Sequence, residues 1–232
     1  MTCTNMLVFK FPSVTSTQDL AEAIFQMINA KEFVIVAEEQ TKARGRYRRE
    51  WYSPKGGLWV TYVIKGYEAE KIPFLTLRAA LAIRKTISEY LDVKIRWPND
   101  IVYEGKKLAG ILVEGITEGN ETAVFIGFGI DTNVKELPLD LKGTSLYIEL
   151  KREVDNDKIL ETVISRIKDY EEKNEKEIID ELNNYLSIKN KKIRIVEKNG
   201  EKDCMALFVD YYGRLVTDCG IFEVEDVLRV IE

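Results

Sequence analysis

Five cations fall within eight positions in Lys42-Ala43-Arg44-Gly45-Arg46-Tyr47-Arg48-Arg49, and no acid interrupts them. Arginine forks grip phosphate and carboxylate bidentately, and a glycine lets backbone amides approach an anion. The run reads as an anion clamp, with a solvated basic loop or a nucleic-acid patch as the plainer alternatives. Five like charges with no anion between them repel one another, so residues 42–50 are expected to be mobile without ligand.

Three more segments could supply functional groups. Arg96-Trp97-Pro98-Asn99-Asp100 closes an apolar run with a proline-fixed turn. It would present an amide and a carboxylate at a strand tip, where ligands of open α/β sheets sit, unless it is an ordinary Pro-Asn-Asp turn. Lys106-Lys107 opens a buried run, and Ala109-Gly110 leaves room for a ligand against the backbone. A lysine there could bridge a carboxylate and a phosphate; the bland reading is a hairpin turning at Glu104-Gly105. Gly127-Phe128-Gly129-Ile130-Asp131-Thr132-Asn133 permits close packing against a flat group, with Asp131 and Asn133 on one face, though strand glycines often mark only bulges. Gly56-Gly57-Leu58-Trp59 reads as a turn into a strand, with Trp59 lining a pocket.

The sequence has no histidine, which excludes Ser-His-Asp and Cys-His catalysis, HExxH proteases and His-ligated metals. Chemistry must come from Lys, Arg, carboxylates, amides and backbone. That suits reactions that need anionic groups held in place, such as phosphoryl or acyl-phosphate transfer. With 34 basic and 39 acidic residues the formal net charge is −5, which argues against nucleic acid as the main partner. Three scattered cysteines, Cys3, Cys204 and Cys219, are too few for a disulfide framework or a Cys-rich zinc site. No transmembrane run and no secretory leader pattern is present, so a reduced, cytoplasmic protein is expected.

The elements that must hold these groups follow from the apolar pattern. Alternating or buried runs predict strands over 7–11, 33–37, 58–64, 93–97, 108–114 and 122–130. Helical spacing predicts helices over 20–28, capped by Ser16 with Asp19 in the capping-box position, over 77–91 after Pro73, and as one long helix over 156–186. Beyond residue 188 come short β-like runs at 192–197, 204–210, 214–218 and 227–231, with turns at Asn199-Gly200 and Tyr212-Gly213. This predicts an α/β domain over 1–186 and a small β-barrel over 187–232.

In order and spacing these segments resemble the biotin protein ligase (biotin–acetyl-CoA-carboxylase ligase) family. The family's basic loop, GRGRRGRxW, appears as residues Ala43 to Trp51 and its KWPND as Arg96 to Asp100. Its KLAGIL(V)E appears as Lys107 to Glu114, and its GIGINVN as Gly127 to Asn133. Ser16-Thr17-Gln18 stands for an upstream Ser-Thr-Asn. The departures are Ala43 and Arg48 for glycines, Tyr47 for an arginine, Gln18 for Asn, Arg96 for Lys and Asp131 for Asn. The motifs span residues 8–135, and the β-rich tail looks like the family's SH3-like domain.

The resemblance implies a mixed-sheet biotin/lipoate ligase-like catalytic domain, related to class II synthetases. It implies formation of biotinyl-5′-AMP from biotin and ATP, then transfer of biotin to a lysine of a biotin carboxyl carrier protein. By the same resemblance Ser16, Thr17, Gln18, Gln40, Arg44, Gly45, Arg46 and Lys107 would contact biotin. Arg46, Arg49, Trp51, Asn99, Lys107 and Asp131 would contact ATP. Lys107, Arg46 and Asp100 would carry catalysis, Asp100 either activating the incoming lysine or holding Mg²⁺; the metal would otherwise ride on the ATP phosphates. A homodimer is implied as well. No DNA-binding or repressor role is expected of a catalytic domain that starts near residue 7, and no membrane partner. Lipoate protein ligase is the enzyme alternative. A nucleic-acid-binding module is the alternative of another class, but residues 188–232 hold 8 basic and 9 acidic residues and lack a basic face in bulk.

Overall fold

β-branched and alternating apolar runs become seven strands of one mixed sheet: β1 (Leu7–Phe11), β2 (Glu32–Ala37), β3 (Leu58–Lys65), β4 (Lys94–Arg96), β5 (Asp100–Tyr103), β6 (Lys106–Glu118) and β7 (Glu121–Ile130). The computed structural model describes residues 6–119 and 121–232. Cys3 lies outside them. The spatial order is β1-β2-β3-β7-β6-β5-β4, with β1 and β2 parallel and every other pair antiparallel.

Period-two geometry sends alternate residues of β3 and β7 to opposite faces. Val60, Tyr62, Ile126 and Phe128 pack toward helix α2 (Ile72–Ile87), which is buried nearly all round between the sheet and a further helical layer. That layer is α4 (Asn156–Glu171) and α5 (Glu175–Asn184). Phe33, Ile35, Val63 and Phe125 pack on the other face under helix α1 (Thr17–Ile24). Ser16 caps α1 by accepting from Asp19 N at 3.2 Å. The Asp19 carboxylate goes to Arg44 instead of back to the cap, so only half of the expected capping box forms.

The single helix expected over 156–186 is two. Arg78, on α2, donates to the carbonyls of Tyr170, Glu171 (3.1 Å) and Lys173 (2.7 Å), taking the free acceptors at the end of α4. Asn174 and Glu177 then open α5 with a reciprocal capping box. A short helix, α3 (Leu146–Leu150), and the four-residue β5 were not expected.

The C-terminal strands are β8 (Lys192–Glu197), β9 (Gly200–Val209), β10 (Leu215–Thr217), β11 (Gly220–Phe222) and β12 (Val227–Ile231), in antiparallel order β11-β10-β9-β8-β12. They form an open sheet: among the described residues β11 and β12 do not pair, so the expected barrel is not closed. The sheet is anchored to the first. Residues 185–187 run beside β4, with Ile95 N donating to Tyr185 O and Ser187 N to Ile95 O, both at 2.8 Å. Trp97 Nε1 donates to Gly213 O at 3.0 Å. Contrary to the expectation of reduced cysteines, Cys204 on β9 and Cys219 before β11 are joined in a disulfide. Among the described residues no helix is long and apolar enough to cross a membrane.

Candidate active site

The sheet face under α1 is interrupted where side chains are missing. Across the strands Thr61, Gly127 and Leu112 lie in one row, and Trp59, Gly129, Gly110 and Asp100 in the next. Two glycines paired across β6 and β7 leave a flat floor, on which the Trp51 ring lies. A Cβ at Gly129 would stand 2.7 Å from Trp51 Nε1, and one at Gly110 3.1 Å from its Cζ3. A Cβ at Gly127 would meet Gln18 Oε1 at 2.6 Å. The motif's glycines are therefore spatial requirements of the side chains above them.

The gap opens into a cavity of about 570 Å³. That volume suits a small-molecule substrate. The thirteen residues that the resemblance assigns to biotin, ATP or catalysis all line it, from Ser16 at the cap of α1 to Asp131 just after β7. Several do work other than direct contact. The Ser16 hydroxyl is engaged in its cap. Asn99 donates from Nδ2 to Ile111 O at 2.9 Å, tying the Pro98 turn to β6. Trp59 does not line the cavity; it lies fully buried beside Gly129 on the neighbouring strand, with Nε1 donating to Pro54 O. Asn133 turns away to hold Val154 through N and O. Glu104-Gly105 is the hairpin turn of the bland reading, and it is this hairpin that delivers Lys107 to the cavity.

One end of the cavity is neutral. Gln40 Oε1 accepts from Thr17 N (2.8 Å) and Thr17 Oγ1 (3.2 Å), and its Nε2 donates to Ser53 Oγ (3.0 Å). Thr61 Oγ1, fully buried, lies 2.9 Å from Thr17 Oγ1 and 3.1 Å from Gln18 Oε1. These amides and hydroxyls carry no charge themselves; behind them Gln18 Nε2 donates to Glu114 Oε2 at 2.9 Å.

The other end is ionic. Lys107 Nζ stands 2.6 Å from Asp100 Oδ1, and Arg96 donates to Asp100 Oδ2 at 3.0 Å. Burial works to raise the Asp100 carboxyl, but Lys107 and Arg96 outweigh it and hold it below the usual range. Lys107 Nζ also lies 4.5 Å from the centre of the Trp51 ring. Asp131, 5% exposed, has Oδ1 without a partner; burial pushes its carboxyl well above the usual range, only partly offset by Lys107. Trp51 Nε1 is likewise buried and unpaired. Burial and the like charges of Arg229 and Arg46 pull the Arg49 guanidinium below its ordinary value. Lys107, Arg96, Arg46, Arg49 and Arg229 all line the cavity here, and of these Lys107 and Arg96 are paired with Asp100.

The basic loop is not the free clamp the sequence suggested. Arg44 donates Nη1 to both oxygens of Glu114 at 2.8 Å, Nε to Asp19 at 2.6 Å and Nη2 to Glu22 at 2.8 Å. Burial opposes its charge, but Glu114 and Asp19 hold it above its ordinary value. Arg44 therefore builds the wall between α1 and β6. Arg46 and Arg49 have main-chain partners on residues 224–228, which counters the repulsion expected to keep the loop mobile. Lys42 and Arg48 do not line the cavity.

Sequence reasoning missed Thr61, Ser53 and Arg229. Thr61 has a signal in hindsight: a polar residue at an inward position of a buried strand. Arg229 lies about 180 residues from the loop it faces, with no local pattern to mark it.

The Biotin/lipoate A/B protein ligase family model matches residues 9–131. A bifunctional ligase/repressor BirA from Bacillus subtilis (strain 168) is 34% identical over 170 residues, covering 68% of this chain and 52% of the relative. Biotin--protein ligase 2 of Arabidopsis thaliana is 30% identical over 130 residues, covering 53% of this chain and 39% of the relative. The chain spans about half the length, or less, of these curated relatives. The solved biotin protein ligase from Aquifex aeolicus in complex with biotin and ATP superposes with a TM-score of 0.81 at 26% identity, covering 94% of this chain and 95% of that one.

Proposed function

Because this chain belongs to the Biotin/lipoate A/B protein ligase family, we propose that it activates biotin with ATP to biotinyl-5′-AMP and then transfers biotin to a lysine of a biotin carboxyl carrier protein. The observation that carries this reading is the juxtaposition, in one cavity, of a neutral amide–hydroxyl end and a cation-rich end with a flat Trp51 floor between them. A cyclic urea is polar, uncharged and matched by amides and hydroxyls, so the Thr17–Gln18–Gln40–Thr61 end suits the biotin head group. A triphosphate requires cations at contact distance.

In the first step a carboxylate oxygen of biotin attacks the α-phosphorus, and the bond from that phosphorus to the bridging oxygen breaks to release pyrophosphate. Two anions must meet, so a cation at the junction is worth most in the transition state. We assign that role to Lys107. Asp100 and Trp51 hold its ammonium from two sides, and Asp100, with both oxygens on cations, serves as its support. In the second step the carrier amine attacks the anhydride carbonyl carbon, AMP leaves and the nitrogen loses a proton.

Magnesium belongs to the reading as an ion carried by the nucleotide phosphates. Asp100, with its two oxygens on Lys107 and Arg96, is already committed, so the ion is assigned to the phosphates. The working form is proposed to be a homodimer and the compartment the cytoplasm; sedimentation and fractionation test these two points.

The deciding measurement is exchange of labelled pyrophosphate into ATP. It should depend on biotin and not on lipoate. Exchange with lipoate alone would replace this reading with a lipoate ligase.

A further inference from the structure

Tyr47 sits at the crest of the basic loop with φ 57° and ψ 31°, and Arg48 follows at φ 57°. Residues other than glycine hold this left-handed region only where their surroundings impose it. Here the surroundings are the main chain that enters the last strand. Tyr47 Oη donates to Glu225 O at 2.7 Å and lies 3.3 Å from Val227 O. The same oxygen accepts from Arg46 Nη2 at 3.1 Å, and the Arg46 guanidinium lies 5.0 Å from the Tyr47 ring centre. Arg46 Nη2 donates further to Val224 O and to Val227 O (3.1 Å), and Arg49 Nη2 to Leu228 O (2.8 Å). Three loop side chains thereby hold four carbonyls of residues 224–228.

The loop and β12 face the same cavity: Gly45, Arg46 and Arg49 line it from one side, Leu228 and Arg229 from the other. Fastening one to the other closes that side. The cations alone do this poorly, because Arg46, Arg49 and Arg229 repel one another. A neutral phenol that accepts from Arg46 and donates to a carbonyl joins the two segments without adding charge.

We infer that Tyr47 is a positioning residue, a latch that fastens the basic loop and Arg46 to the main chain of residues 224–228, so that the C-terminal sheet sets how long an activated intermediate stays in the cavity. The retention half of this inference rests on the adenylate-forming reading above.

The test uses the full chain with Tyr47→Phe, and Glu225→Ala as a control, since the acceptor at 225 is the backbone. Without ligand, hydrogen exchange should quicken in residues 43–51 and 224–230 together in Tyr47→Phe and stay at the wild-type rate in Glu225→Ala. Release of preformed labelled biotinyl-AMP should speed up about threefold to tenfold in Tyr47→Phe, the range for losing one net hydrogen bond. Pyrophosphate exchange should stay within about twofold and the thermal midpoint should not move. Unchanged protection in both segments, or loosening of the loop alone, overturns the latch. Equal loss of synthesis and retention overturns the positioning role. If the wild type forms no biotinyl-AMP, the functional reading and the retention half fail together, and hydrogen exchange still decides whether the latch exists.

Discussion

At one end of the cavity Thr17, Gln18, Gln40 and Thr61 hold one another through neutral hydrogen bonds; at the other Lys107, Asp100 and Arg96 hold one another through charge. The neutral end is pre-satisfied, so a ligand gains there chiefly by matching a fixed pattern of donors and acceptors. The ionic end has an excess of cations and a carboxyl, Asp131, with an unpaired oxygen. It is poised for an anion and unfavourable without one. Under the proposed function, selection would fall to one end and transition-state stabilisation to the other, and four experiments can break that assignment.

The largest effect should come from Lys107→Ala. Removing a preorganised charge from a dry site costs about 2.7–4 kcal/mol, or roughly 10²–10³ in rate. Pyrophosphate exchange should fall by that factor while biotin affinity, measured by calorimetry, changes little. A large loss of biotin affinity would mean the two ends are not separable.

Thr61→Val keeps the side chain's shape but leaves Gln18 Oε1 and Thr17 Oγ1 short of a buried partner. A buried group left unsatisfied costs about 1–3 kcal/mol. Biotin affinity should therefore drop about 5–150-fold, with the KM for ATP unmoved. A rise in the ATP KM alone would reverse the placement of the two substrates.

Asp131→Asn tests the ionic end without ligand. Burial raises the folded-state carboxyl above its unfolded value of about 3.9, so the folded protein keeps the proton when the unfolded chain has lost it. Wild-type stability should accordingly fall as pH rises from about 4 through the raised value, while the variant shows no such slope at this site. The variant should be more stable at neutral pH, by denaturant midpoint. An equal slope in both proteins would show that Asp131 does not hold its proton.

The smallest effect concerns salt. Exposed cations at the mouth are screened within about 10 Å at 0.1 M ionic strength. ATP binding should weaken a few-fold on raising salt from 0.05 to 0.5 M, and biotin binding should not. Parallel weakening would erase the distinction.

Much of this arrangement could be read from the sequence because it is carried by local chemistry. β1, β8 and β12 have the predicted bounds, since each is a short apolar run between polar breaks. The RWPND turn, KLAG strand and GxG floor were visible because each needs special residues at fixed offsets. What was hidden depends on distant partners. The break after α4 is fixed by Arg78 from α2, 92 residues upstream of Tyr170. The three carboxylates around Arg44 come from α1 and β6, so a residue read as a ligand clamp is a structural tie. Cys204 and Cys219 are 15 residues apart, yet meet because β10 folds back between them.

The run of residues 185–187 beside β4 has a consequence for how copies of this chain could associate. A sheet with two bare edges can be extended from either side, and repeated extension makes a fibre. Here one edge is occupied by the chain's own continuation. Among the described residues the opposite edge, β1, pairs only with β2 and keeps Leu7 and Val8 partly exposed, and Lys10 on it is drawn toward Asp157. Edge-to-edge joining through this sheet must therefore be one-sided. Two copies meeting through β1 would use up the remaining edge of the seven-stranded sheet among the described residues, so strand addition through that sheet gives a closed pair.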